Sequence, residues 1–322
     1  MRRLFAADIH FSSHYFLSPS RNKYKLRLVD SIRCMIYLLQ QCIVNNIDQM
    51  WIVGDILHQS GSRIPFSEII LLRNLLSSFP CEVYIVGGNH DISDNIWVIE
   101  LLSSYNTTII TEPSLYDDIF AIPYGFTPEI RANINLWHGM VRGAVLSNNY
   151  KALEGEEISF SKDCVWLLGH VHKHQQLGNN AWYIGSPYRI NFSEEFNEPY
   201  ICLIDNAIKW IKTLLPPKFI TINIDTQTID SLSVEDCYIR LQGDNLQRMK
   251  ELQVLLKSEG ARSVLLDSSK SIDISQNIEI TVTDPLELLR DEIEANIPEK
   301  DLRNRILKII EVFQTKGSLE EL

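Results

Sequence analysis

The sequence predicts an α/β fold: a β-sandwich of stacked sheets flanked by helices, then a small α+β domain and a C-terminal helical tail. Three observations lead there. Over residues 1 to about 215, short apolar runs alternate with amphipathic helical stretches. Several of those runs end on carboxylate or imidazole side chains. Pro216-Pro217 then breaks the pattern. The 322 residues suit one large domain and a smaller one, with boundaries expected at 1–215, 216–283 and 284–322.

Leu4 to Asp8 reads as the first strand. A long amphipathic helix follows within 25–46, where Leu28, Val29, Ile32, Ile36, Leu39 and Ile43 recur near the 3.6-residue period. Met50 to Asp55 is a second apolar run. Ser67 is the expected N-cap of a helix over 68–78 that Pro80 stops. Glu82 to Val86 reads as a strand, and 118–123, 134–138, 164–169 and 181–185 are further strand candidates. Tyr200–Ile204 and Ala207–Thr213 form a hairpin around Asp205-Asn206. Beyond the proline pair, strands are expected at Phe219–Ile224, Cys237–Leu241 and Ile278–Val282, with a helix near 245–258. Asp284-Pro285 opens the tail. There Leu302, Ile306, Ile309, Ile310 and Phe313 share one helical face, which can fold back on its own domain or meet another surface.

Apolar residues at 45% are enough for a sizeable core, which excludes a disordered chain, collagen and a small disulfide scaffold. Thirty basic against 41 acidic residues give −11, which weighs against a stand-alone, high-affinity nucleic-acid binder. The charge is uneven: 17 basic and 21 acidic residues up to Leu215, then 13 and 20. The opening apolar stretch stops at Asp8, too short for a secretory leader, and no run reaches the roughly 18 residues of a membrane span. Six scattered cysteines without a CxxC pair read as reduced core thiols of a cytoplasmic protein.

The polar residues repeat one placement: Asp8-Ile9-His10, Gly54-Asp55, Gly88-Asn89-His90-Asp91, Trp137-His138-Gly139 and Gly169-His170-Val171-His172. Seven of the eight histidines lie in or beside these blocks. On a regular strand the two ligands of DxH or HxH share a face and can converge on one ion. Each block alone is a weak signal, because a lone DxH is more often a turn and a lone histidine more often core. Together they are specific. Carboxylate, amide and imidazole without thiolate suit Mn²⁺, Fe or Zn²⁺ better than Ca²⁺ or a structural zinc; Mn²⁺ is the leading expectation for the site, with Mg²⁺ a further alternative. Seven ligand candidates are too many for one ion and fit two divalent metal ions sharing a carboxylate.

The ordered set DxH, GD, GNHD, H and GHxH resembles the calcineurin-like metallophosphoesterases over residues 1 to about 190. Within it, Gly54-Asp55-Ile56-Leu57-His58 places a histidine three residues after the aspartate. Tyr183-Ile184-Gly185-Ser186-Pro187-Tyr188-Arg189 precedes Phe192-Ser193-Glu194-Glu195. Both blocks are similar to the SbcD-like DNA-repair nuclease branch, which partners SMC-like ATPases. The α+β domain and tail fit that branch's capping domain and ATPase-docking helices.

The resemblance implies roles. Asp8, His10 and His172 would hold one metal, Asn89, His138 and His170 the other, and Asp55 would bridge them. His90 would stabilise charge on the scissile phosphate and protonate the leaving oxygen, with His58 assisting it or guiding DNA. Asp91 would be a brace, and His174 no ligand. The implied activity is 3′→5′ exonuclease on duplex ends and endonuclease on hairpin or single-stranded DNA. The implied partners are DNA and an SbcC-like SMC-family ATPase, in a heterotetramer built on a homodimer, within a bacterial cell and either chromosomal or phage-encoded. An RNA or small-molecule phosphodiesterase on the same fold, or a mainly architectural DNA-end-binding subunit, remain the alternatives. No GxxxxGK[ST] occurs, so any ATP-driven step needs a second chain.

Weaker signals surround the motifs. Arg21, Lys23, Lys25 and Arg27 flank Tyr24 and suit either phosphate contacts or the solvated start of a helix. His14, Tyr15 and Phe16 could stack on bases. Tyr188 and Arg189 are candidates for the site's rim, against ordinary loop packing.

Overall fold

The computed structural model describes residues 1–12, 20–21, 24–58, 64–226, 233–268, 271–273 and 285–316. Two six-stranded sheets face each other. The first runs in the order Ile208–Lys212, Tyr200–Ile204, Arg3–Ala6, Gln49–Val53, Glu82–Val86, Thr107–Ile110. The second runs Gln175–Gly178, Ala181–Tyr183, Val165–Gly169, Ile134–His138, Ile119–Ile122, Ser114–Tyr116. The inner pairings of both are parallel, and the hairpin at 200–212 joins the first sheet antiparallel.

Side-chain alternation explains the unbroken apolar runs. Leu4, Ala6, Met50, Ile52, Val83 and Ile85 enter the layer beneath the helices. Phe5, Trp51, Val53 and Val86 point the other way, into the core shared with Ile119, Leu136 and Leu167 of the second sheet. Strands buried on both faces need no polar alternation. The short strands at Thr107–Ile110, Ser114–Tyr116 and Gln175–Gly178 were not expected. They span only three or four residues, too few for a period to register.

Five helices are described: α1 (Leu26–Val44), α2 (Phe66–Leu76), α3 (Leu246–Ser258), α4 (Pro285–Asn296) and α5 (Lys300–Lys316). Ser67 does not cap α2. Pro65 holds that position in an extended conformation and offers no side-chain cap, so the helix begins one residue before Ser67. Asn245 does cap α3, accepting from the Arg248 N–H.

The tail differs from the docking expectation. Leu289, Ile293, Ile297, Ile306, Ile309 and Ile310 are buried in the same core as α1 and α2. Burying each such side chain contributes about 1.5–3 kcal/mol, a gain the fold-back takes within the chain. The helical face once suited to a partner is thus covered by the large domain; the Phe313 side chain lies outside the description.

Residues 218–273 build a four-stranded sheet, Lys218–Asn223, Cys237–Gln242, Ser263–Ser268 and Ser271–Asp273, the first three parallel. Its core joins Ile222, Ile239 and Leu241 to Met249 and Leu256 of α3. Expected strand Ile278–Val282 lies outside the described residues. The opposite face meets the large domain through charge. Arg262 pairs with Asp30 of α1 and with Asp236, Arg33 reaches Asp236 at 3.2 Å, and Arg27 reaches Asp30 at 3.2 Å. Charged residues on α1 are therefore buried, not solvated.

All six cysteines are buried and unpaired. Among the described residues no helix is long and apolar enough to cross a membrane.

Candidate metal centre

The five blocks converge at one end of the sandwich, at or just past the ends of the strands that carry them. The geometry differs from strand alternation. The first strand ends at Ala6, and Asp8 and His10 lie beyond it with φ of 54° and 51°. This left-handed loop runs beside 54–56: Asp8 N–H donates to Gly54 O at 3.1 Å, and His10 N–H to Asp55 O at 2.9 Å. Asp55 (φ 47°) and His170 (φ 100°) share the same unusual backbone region. L-residues adopt it at a cost of order 1–3 kcal/mol, and such strain concentrates at functional sites. The DxH pair converges through this backbone, not through the pleat.

Two clusters result, each with ligand-type atoms within 4.8 Å of one another: Asp8, His10 and His172, and Asp55, His138 and His170. His10 Nε2 lies 3.0 Å from His172 Nε2. Asn89 Oδ1 joins the second group, 3.2 Å from His138 Nε2 and 2.8 Å from His170 Nδ1. Asp55 stands between them: its Oδ2 is 3.3 Å from His138 Nε2 and 3.8 Å from His10 Nε2. Its Oδ1 accepts the His90 N–H at 2.8 Å. Asp8, His10, Asp55 and His138 are buried, while His58, Asn89, His90, His170 and His172 are half-buried. The centre is therefore closed beneath and open on one side.

Ring orientation is set from outside. His138 Nδ1 donates to Val53 O at 3.0 Å, which leaves Nε2 facing Asp55. His172 Nδ1 lies 2.7 Å from Glu194 Oε1. His90 Nδ1 donates to the His58 carbonyl at 2.6 Å, so Nε2 is the ring atom left for proton exchange. The His58 and His90 rings lie 14° from parallel, 6.0 Å apart. His10, His58 and His90 also bring three ring nitrogens within 4.8 Å. Asp91 is fully buried and braces both loops, accepting Leu57 N–H at 2.9 Å and Gly88 N–H at 2.8 Å.

Electrostatics follow burial first. Burial and the neighbouring His138 hold His170 down at about 4, and burial with His90 holds His58 at about 4. Burial also keeps His10 well below its usual value. Burial opposes charge on His138 and His172, yet Asp55 and Glu194 respectively lift them to about 9. Burial and the Asp55 charge push Asp91 up to about 8. Burial would raise Asp55 too, but the His138 beside it carries its carboxyl far below the carboxylate range. His10 and His170 are thus held neutral beside an ionised Asp55, the state a divalent cation requires of its ligands, whereas His138 and His172 would each give up a proton as such a cation binds. The donor set fits such ions.

Glycines make the approach feasible. A Cβ on Gly54 would strike the His138 ring, and one on Gly88 the backbone and carboxylate of Asp55. At Gly54 and Gly88 glycine is a requirement of space as much as of turning.

The weaker candidates sort differently. Arg27 is 2% exposed: it pairs with Asp30, donates to Ile190 O at 2.7 Å and lies over Tyr188, Phe219 and Tyr238. Tyr188 is 1% exposed, its hydroxyl donating to Ile9 O at 2.8 Å. Neither can meet a ligand from solvent, and both are structural. Arg189 is half-buried. Arg21 and Lys25 sit on a two-stranded ribbon, Ser20–Arg21 with Tyr24–Lys25. Lys23, His14, Tyr15 and Phe16 lie outside the described residues. His174 donates to Tyr183 O and Ile184 O and faces Tyr200 and Trp210, away from the ligands. Two neighbours had no role in the sequence reading. Glu194 was visible in the block after Arg189 but gave no sign of meeting His172. Tyr124, 41% exposed, lies 6.2 Å from the His170 ring; its only signal was a turn closing an apolar run.

A sandwich of two sheets carrying paired carboxylate–imidazole clusters at its strand ends defines a metal-dependent phosphoesterase. The calcineurin-like phosphoesterase family model matches residues 1–204, and the chain belongs to that family. Its members use divalent metals. The chain is similar to the uncharacterized metallophosphoesterase YhaO of Bacillus subtilis, 22% identical over 199 residues, covering 53% of this chain and 48% of that one. It thus spans about half the length of that relative. It is also similar to the phosphoesterase designated 244L of Invertebrate iridescent virus 6, 26% identical over 250 residues, covering 64% and 85%. Among solved structures, similarity extends to the phosphoesterase Yfce from E. coli (18% identity, 64% of this chain and 89% of that one, TM-score 0.35). The nuclease MPE of Pseudomonas putida is similar at 15% identity, covering 67% and 75%, with a TM-score of 0.31.

Proposed function

We propose that the chain is the nuclease subunit of an SbcCD-like assembly, hydrolysing DNA phosphodiester bonds with two divalent ions, Mn²⁺ foremost. The carrying observation is Asp55 between two ligand groups, with His90 hung from its carboxylate and His58 alongside. Asp8, His10 and His172 would hold one ion; Asn89, His138 and His170 would hold the other; Asp55 would serve both. Bound there, such ions neutralise the phosphoryl oxygens and supply a nucleophile near neutral pH.

The chain's own residues do the rest. His90 keeps Nδ1 committed to the His58 carbonyl, so a proton held at Nε2 can pass to the leaving sugar oxygen. Asp91 fixes the loops that carry Asp55 and His90. The exposed ring of Tyr124 offers a surface on which a base or sugar can stack. Residues 1–215 carry far less net negative charge than their share of the chain's −11 would give, a net of −4. DNA contact by the chain alone is therefore weak and centred on the metals, with a positively charged partner such as the SbcC-like ATPase adding grip. A homodimer within a heterotetramer, and a role in DNA repair, recombination or replication, belong to the same proposal.

One assay tests it. Purified protein with Mn²⁺ is given end-labelled duplex, a DNA hairpin and bis-p-nitrophenyl phosphate, with and without the ATPase. Metal-dependent shortening of duplex ends and opening of the hairpin, enhanced by the ATPase, are expected. Hydrolysis of the small ester with both DNAs intact would overturn the nuclease reading in favour of a small-molecule phosphodiesterase. DNA-end binding with no hydrolysis of any substrate would leave an architectural subunit.

A further inference from the structure

The segment Ile190–Glu195 touches the metal centre at one point and the α+β module at two. Glu194 is 2% exposed, and both its oxygens are engaged: Oε1 with His172 Nδ1 at 2.7 Å and Asn191 Nδ2 at 3.3 Å, Oε2 with the Ile190 N–H at 2.8 Å. On the module side, Glu195 Oε1 accepts the Thr221 N–H at 2.7 Å. The Phe192 ring lies 5.0 Å from Phe219 and 4.9 Å from the Arg240 guanidinium. A second path meets the same segment. Arg262 of the module holds Asp30, Asp30 holds Arg27, and Arg27 donates to the Ile190 carbonyl.

We infer that Glu194 positions His172 for metal binding and that the module, by clamping this turn, sets where Glu194 stands. The inference rests on the reading of His172 as a ligand. The physics is simple. An imidazole that ligates through Nε2 can still rotate about its last side-chain bond. A carboxylate on the Nδ1–H fixes the ring plane and strengthens Nε2 as a donor. The three-residue turn Phe192–Glu194 has exposed neighbours at Asn191 and Phe196, so its position depends on what it is docked against. That support is the module.

Calorimetric titration of the full chain with Mn²⁺ separates the parts. His172→Ala is expected to remove one of two sites; if both persist, the ligand reading fails and this inference falls with it. Given that loss, Glu194→Ala should weaken the same site roughly 10–100-fold and spare the other. Glu194→Gln keeps the volume but leaves one carbonyl oxygen for three donors, so it should fall between, and it is read instead if the alanine variant does not fold. Phe192→Ala cuts the module side without touching His172 and should weaken that site roughly 3–10-fold. Visible absorption of the Co²⁺-loaded protein adds a second readout: the band lost in His172→Ala should shift in the Glu194 and Phe192 variants. Wild-type affinity and spectrum in both Glu194 variants would overturn the positioning role. A weakened Glu194→Ala beside an unchanged Phe192→Ala would overturn the coupling to the module.

Discussion

Arg262→Met should unseat the module from the large domain. Arg262 is 8% exposed and holds two carboxylates, Asp30 on α1 and Asp236 in the module, across 232 and 26 residues of chain. Removing one partner of a buried ion pair costs about 3–5 kcal/mol, because a desolvated charge is left uncompensated. Two facts place this case at the lower end. Asp30 keeps Arg27 and Asp236 keeps Arg33, each at 3.2 Å, and the Asp236 side chain is 40% exposed. The expected loss is therefore about 3 kcal/mol, roughly a hundredfold in the folded population. Urea unfolding followed by tryptophan fluorescence reads it well, since all six tryptophans lie at or before Trp210. A change made in the module is thus reported by the other domain. Adding Asp30→Asn should recover part of the loss, giving a coupling energy by double-mutant cycle. A shift below about 1 kcal/mol, or none in the tryptophan signal while the module melts separately, would refute the reasoning.

Other outcomes follow from the same geometry. His90→Asn should leave Mn²⁺ binding intact and cut turnover on the order of 10²–10⁴-fold, the range for loss of a general acid; near-normal cleavage rejects the role. Gly88→Ala forces a Cβ into the Asp55 backbone and carboxylate, costing about 1–3 kcal/mol of stability as overpacking and weakening both metal sites; an unchanged melting temperature and metal affinity would contradict the close approach. Burial opposes the charge of Asp236, yet Arg262 and Arg33 hold its carboxyl below the usual range. A lowered folded value stabilises the fold above the unfolded pKa near 4, and that stabilisation fades as pH falls through the folded value. The stability gap between wild type and Asp236→Asn should therefore shrink between pH 6 and pH 3, and a constant gap in urea midpoints argues against the pairing.

What the sequence made legible was set by how local each cause is. Strands Glu82–Val86, Ile134–His138 and Tyr200–Ile204 have the expected limits because their signal is the apolar run itself. The ligand blocks were legible because all five follow apolar runs in one ordered set, although each alone reads as a turn or a core histidine. Their backbone was not: left-handed Asp8, His10 and Asp55 are imposed by neighbouring loops that no local pattern reveals. Arg27 shows the same limit. A basic residue at the start of a helix reads as solvated, and only a segment more than 160 residues away, contributing Ile190, Phe219 and Tyr238, makes it interior. Glu194 was in view yet silent, since a carboxylate's partner across 22 residues depends on tertiary structure. The tail's apolar face was read correctly as a face, but which surface it covers is not encoded in its period.

The return of α4 and α5 onto α1 and α2 has a consequence for how this molecule can be divided. The family-matched stretch ends at 204, but the layer that shields Leu28, Ile36, Leu72 and their neighbours is completed by residues after 285. The α+β module is thus a guest inserted into a host whose outer wall is closed last, from the far end of the chain. A truncation at the proline pair would strip that wall and leave an oily surface where the intact protein has a core.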